Sequence, residues 1–276
     1  MLKTPLAAAL WALLLVHAAP GADLAPRHDT RYQVIDEQWA SLDGSRRFRI
    51  PTLRALDVRS GGPQMIVAVY EQGPDGEVAV ASEEGEDVRV ERIFDLDRDG
   101  KPELVIRIGN GGRCLGCSWL AVYGARRGRI VKLAPDATLH DLADVDGDGR
   151  FEGLAIAVAL TGSAGLPPND TPRVERVYSL GPRGYVPDDR RFARYHWRRL
   201  MAARRALEED PEGRSGYKQV KLCIELYFEH EILGLKKDGL EIARWFLRQL
   251  ELRSDRMTAV AAERARLALE SRVHSN

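Results

Sequence analysis

Eight carboxylates and two backbone carbonyls of this 276-residue chain fall into one repeated pattern. Asp95, Asp97, Asp99 and Glu103 are the acids of D-x-D-x-D-G-x-x-E. Asp144, Asp146, Asp148 and Glu152 are those of a second copy that begins 49 residues later. Acids at positions one, three and five of a tight loop point into the turn, and Gly100 or Gly149 at six permits the bend. Position seven, Lys101 or Arg150, offers its main-chain carbonyl, and the acid at nine completes the cage. Such all-oxygen cages suit hard cations, and calcium takes six to eight oxygen ligands. An EF-hand would need a bidentate Glu at position twelve. Ile106 and Ala155 stand there, within apolar runs, so strand-borne loops are expected instead of helix–loop–helix units.

Other reactive side chains are fewer. Cys114 and Cys117 form a C-x-x-C inside a Gly-rich stretch between two strand-like runs. In an oxidising compartment the pair is expected to close a short disulfide. A redox role is the competing reading, although thiol oxidoreductases place this motif at a helix N-terminus. Cys223 lies in an apolar helical stripe and is expected to be a buried free thiol. The Gly-rich stretch lacks G-x-x-x-x-G-K-[ST], and no G-x-S-x-G occurs. His140, just before the second acidic loop, is a candidate to approach the ion.

The elements that must position the loops are legible from periodicity. Residues 64–70 and 77–81 pair as a hairpin around a Gly-Pro-Asp-Gly turn. Val88, Val90 and Ile93 alternate with charged residues into the first loop, and 104–108 leave it. Runs at 119–123, 129–133, 154–160 and 176–180 continue the series. Short strands broken by Gly and Pro predict antiparallel β architecture over residues 23–188. Composition then shifts to Ala, Leu, Arg and Glu. His196, Leu200, Ala203 and Leu207 share a helical face, and so do Leu222, Leu226 and Leu233. Leu240, Ala243, Leu247 and Leu250 form a third stripe, and Val260, Ala261, Ala265 and Ala268 a fourth. Four helices are predicted over 189–276, with Ser254-Asp255 capping the last. The fold class is α+β: a β-blade-like domain followed by a helical bundle.

The phrases from Phe94 to Val105 and from Asp144 to Leu154 resemble the FG-GAP/VCBS repeat, the calcium loop of integrin α-subunit propeller blades. The resemblance covers about residues 60–190 and is specific in the two loops. It implies calcium binding that stiffens a β scaffold. A closed propeller needs at least four blades. Two motifs therefore imply a partial propeller or small β domain, in which the chain before Asp95 can supply a blade without ligands.

Residues 1–22 read as a secretory signal: Lys3, then an apolar run over 6–19 too short to span a bilayer, then small residues. The mature chain, expected to be periplasmic or secreted, has no second run of spanning length. Net charge is zero. From Arg190 onward 19 basic residues face 13 acidic ones, and the part before holds 22 and 28. With no basic stripe carrying stacking aromatics, nucleic acid is not an expected partner. The leading expectation is an exported calcium-binding module that is structural or holds a protein or glycan partner. The alternatives are a hydrolase working between the β domain and the helices, and a thiol protein using Cys114 and Cys117.

Overall fold

A computed structural model of the chain describes residues 32–56, 64–74, 76–111, 117–134, 138–158, 165–167, 170–209 and 216–274. The signal-like segment lies outside these. Among the described residues twelve strands precede four helices, every strand pair is antiparallel, and the expected α+β class holds.

The strands form three four-stranded meanders. The first comprises β1 (Tyr32–Ala40), β2 (Phe48–Ala55), β3 (Met65–Gly73) and β4 (Gly76–Gly85). The second comprises β5 (Asp87–Phe94), β6 (Glu103–Gly109), β7 (Ser118–Arg126) and β8 (Arg129–Lys132). The third comprises β9 (Leu139–Ala143), β10 (Glu152–Val158), β11 (Arg173–Gly181) and β12 (Gly184–Pro187). The second and third join into one sheet through a single residue pair, Leu120 with Leu139. No closed propeller is formed among the described residues.

The second meander is covered on both faces. Leu104, Ile106, Ile108, Ala121 and Tyr123 pack against Phe48, Ile50, Val67 and Val69 of the first. Val105, Leu120 and Val122, one position out of phase, pack with Leu139, Leu142, Ala155 and Tyr185 of the third. Side chains alternate across a strand, so a strand buried on both faces must be apolar at consecutive positions. This is why residues 104–106 and 120–122 read as unbroken apolar runs.

The helices are α1 (Ala193–Glu209), α2 (Tyr217–Ile232), α3 (Lys236–Arg253) and α4 (Arg256–His274). The buried faces of α1 and α3 are the stripes expected from sequence. Helix α2 differs. Val220, Cys223, Ile224, Leu226, Tyr227 and Phe228 are all buried, because α1, α3 and α4 surround it, and Leu222 is only half-buried. On α4 the buried residues are Thr258, Ala261, Ala262, Ala265 and Leu269, with Val260 exposed. Asp255 caps α4, accepting hydrogen bonds from the N–H groups of Met257 (2.9 Å) and Thr258 (3.1 Å). The bundle docks on the third meander: Val174 of β11 enters the helical core, while Leu154 and Val177 pack on Phe192 and Tyr195 beside α1.

Candidate metal centres

Each meander carries a bent loop in its first hairpin: residues 41–47 between β1 and β2, 95–102 between β5 and β6, and 144–151 between β9 and β10. The second and third of these are the acidic motifs, and they match almost bond for bond. The N–H of Gly100 donates to Asp95 Oδ2 (2.9 Å) and that of Gly149 to Asp144 Oδ2 (3.0 Å). The N–H groups of Asp99 and Asp148 donate to Asp97 and Asp146 Oδ1, both at 3.2 Å. Lys101 and Arg150 donate their N–H groups to Asp99 and Asp148 Oδ1, both at 2.8 Å. Glu103 and Glu152 reach back across the loops, accepting from the N–H of Leu96 and of Val145, both at 2.9 Å. The backbone thus holds every expected side-chain ligand in place.

Oxygen atoms of Asp95, Asp97 and Asp99 lie within 4.8 Å of one another, and so do those of Asp144, Asp146 and Glu152. Glu103 and Asp148 are not members of these sets. Glu103 is fully buried, and its Oε1 has no hydrogen-bond partner; Arg126 Nη1 lies 3.5 Å away. Burial, with the nearby Asp97 and Asp99 carboxylates, pushes its carboxyl up to about 7. Glu152 is raised by burial and by Asp146 and Asp148. A buried acid among other acids costs free energy unless a cation joins it. The donor set therefore fits a hard divalent ion.

The two acidic loops touch. The N–H of Phe151 donates to Leu96 O (2.9 Å), and the Phe94 and Phe151 rings meet edge to face at 5.4 Å. Arg98 lies against Gly149 so closely that a Cβ there would sit 1.6 Å from its Nη2. Gly149 has φ +80°, which strains any other residue, whereas the Arg98 head could swing aside.

Loop 41–47 is a third copy without the cage. Leu42 is buried as Leu96 is, and Gly44 has the positive φ seen at Arg98 and Gly147, the fourth position of each loop. Positions one, three, five and six are Ser41, Asp43, Ser45 and Arg46. Only one carboxylate remains, and the Arg46 guanidinium, which also binds Glu71 Oε1 (2.7 Å) and Gly128 O (2.8 Å), pairs with it. Burial opposes ionisation of Asp43, but N–H groups and the guanidinium of Arg46 hold its carboxyl well below the usual range. The first meander thus carries the same kind of turn, with Arg46 paired to its one carboxylate.

Arginines also meet the acidic loops. Arg126 Nη2 is 3.1 Å from Asp97 Oδ2. Arg191 Nη2 is 2.9 Å from Asp146 Oδ2 and 3.0 Å from Asp148 Oδ2. His140 does not turn to the second loop: its Nε2 pairs with Glu175 Oε1 at 3.2 Å. Cys117 is disulfide-bonded, whereas its expected partner Cys114 lies outside the described residues; Cys223 is free and buried.

A second polar cluster, which no sequence pattern announced, ties the third meander to the helices. His196 is fully buried between Glu229 (Nδ1 to Oε2, 2.9 Å) and Asp189 (Nε2 to Oδ1, 3.2 Å). Arg199 joins Glu229 (2.7 Å) to Glu175 (2.7 Å), and the Tyr195 hydroxyl donates to Glu175. Beside it a cavity of about 620 Å³ opens between the β domain and the helices, lined by Asp188, Asp189 and Glu231 among others. These acids are already committed: Asp189 to Arg176, Glu231 to Arg272, Asp188 to the Ser179 hydroxyl.

No family model, curated protein or solved structure matches this chain. Its function is therefore argued from the sites themselves.

Proposed function

We propose that the chain is an exported calcium-binding β-repeat protein, related in its loops to the FG-GAP/VCBS repeat. In this reading each acidic loop holds one calcium ion, which clamps the first hairpin of its meander. The protein acts as a structural or binding module, with a protein or glycan as the partner class. Glu103 is the observation that carries the reading: a fully buried carboxylate beside Asp97 and Asp99 whose Oε1 accepts no hydrogen bond and has Arg126 Nη1 at 3.5 Å. Loop 41–47 adds support, since there a guanidinium stands where a cation is needed.

The test is thermal unfolding with and without calcium. At free calcium a hundredfold above Kd, one site adds about 2.7 kcal/mol, which raises Tm by roughly 5–10 °C for a chain of this size. Chelation should reverse the rise, and an Asp97→Ala, Asp146→Ala double variant should lose it. An unchanged wild-type Tm, or an equal rise in the double variant, would overturn the reading.

A further inference from the structure

The third meander's loop is bonded to the helical bundle as well as to itself. Asp146 and Asp148 each spend one carboxylate oxygen on a main-chain N–H. Their remaining oxygens converge on a single nitrogen, Nη2 of Arg191. Arg191 lies on the short connection between β12 and α1, next to Phe192, which packs under Leu154 and Val177. One turn into α1, Arg198 Nη2 donates to Val145 O at 3.3 Å. Arg194 joins them in lining a cavity of about 410 Å³ between this loop and the start of α1. The basic leading turns of the helical bundle thus face the acidic loop across open space.

We infer that Arg191 is a tethered counter-cation of the second acidic loop, and that calcium and helix docking compete for Asp146 and Asp148. This rests on the calcium reading above. A divalent ion ligated by these carboxylates sits at 2.3–2.6 Å from their oxygens, so the guanidinium on the same two groups faces a double like charge at close range. The Arg191 side chain is 42% exposed and has the adjoining cavity to swing into. Arg126 on the first loop also meets two acids, Asp97 at 3.1 Å and Glu103 at 3.5 Å, but it differs in belonging to β7 of the same meander. An ion entering the first loop therefore leaves the helices undisturbed. An ion entering the second loosens the lead into α1. The coupling is reciprocal: whatever factor Arg191 takes from calcium affinity, calcium takes from the Arg191 contact.

The experiment is calorimetric titration of the full mature chain with calcium, in an Asp97→Ala background that leaves only the second loop competent. Arg191→Gln in that background should bind calcium about tenfold more tightly, within the usual range of such couplings, and Arg191→Lys should fall between. Hydrogen exchange in the first turn of α1 should speed up on adding calcium when Arg191 is present, and stay unchanged in Arg191→Gln. Equal or weaker binding by Arg191→Gln, with calcium still bound, would overturn the inference and leave the calcium reading standing. No calcium binding by either protein would sink the calcium reading, and this inference with it.

Discussion

Glu103 and Glu152 sit at equivalent places, yet they are not equally placed for an ion. Glu152 joins the close oxygen set of its loop, whereas Glu103 Oε1, without a hydrogen bond, lies against Gly124 with Arg126 Nη1 at 3.5 Å. An unsatisfied buried polar atom costs about 1–3 kcal/mol, more when it is charged. Glu103→Gln removes the charge and keeps the acceptor for the Leu96 N–H. Without calcium this variant is expected to be as stable as the wild type or more so; with calcium it should lose most of its Tm rise. Thermal unfolding in both conditions checks this, and a large loss of stability in calcium-free buffer would contradict it. The identity of the acids was plain in the sequence, because ligand spacing within nine residues is a local property. The burial of Glu103 was not, since it depends on Gly124 and Arg126 of β7 packing against it.

Among the elements, the joint between β11, α1 and α2 depends on ionisation. Burial alone would lower the His196 pKa, but hydrogen bonds to Asp189 and Glu229 outweigh it and raise it above the ordinary 6.5. Its contribution is therefore complete below about pH 6.5 and is lost as pH rises through the raised value. Glu175 runs the other way. Burial would raise it, yet His140, Tyr195 and Arg199 bring it down to about 2 from 4.5. Its contribution is present above about pH 4.5 and is lost as pH falls toward 2. Denaturant midpoints should thus fall below about pH 4.5 as Glu175 protonates and fall above about pH 6.5 as His196 loses its proton, with the raised Glu103 adding its own decline between about pH 4.5 and 7. His196→Gln should flatten the alkaline decline and spare the acid one; an unchanged alkaline slope would count against this role. The apolar faces of α1 and α3 were legible from 3.6-residue periodicity. The wider burial of α2 was not, since a helix enclosed by three others buries residues beyond one stripe.

At the scale of the molecule, the helices complete the β stack. The first two meanders cover each other, and the third lends Leu154, Val177 and Val174 to residues after Asp188. A chain ending at Asp188 would leave those side chains in water and strip Arg199 and the Tyr195 hydroxyl from Glu175. Such a truncation is expected to aggregate or to unfold several degrees below the full chain, as light scattering and circular dichroism would show. A soluble monomer with an unchanged Tm would mean that the meanders stand alone.

The sequence by itself determined the two acidic loops, the strands on either side of them, the change to helix after residue 188 and the cap at Asp255. All of these are written in spacing over ten residues or fewer, where turn chemistry and side-chain periodicity act. Only the tertiary structure decided which cations meet the acids. Arg126 and Arg191 reach their loops from 29 and 45 residues away, and His196 finds Glu229 on another helix. It also decided that loop 41–47 is a third copy of the same turn, because its likeness lies in backbone shape and a buried Leu42, not in its acids. Charges pair across such distances only after strands and helices have packed, and no local period in the chain records where they will land.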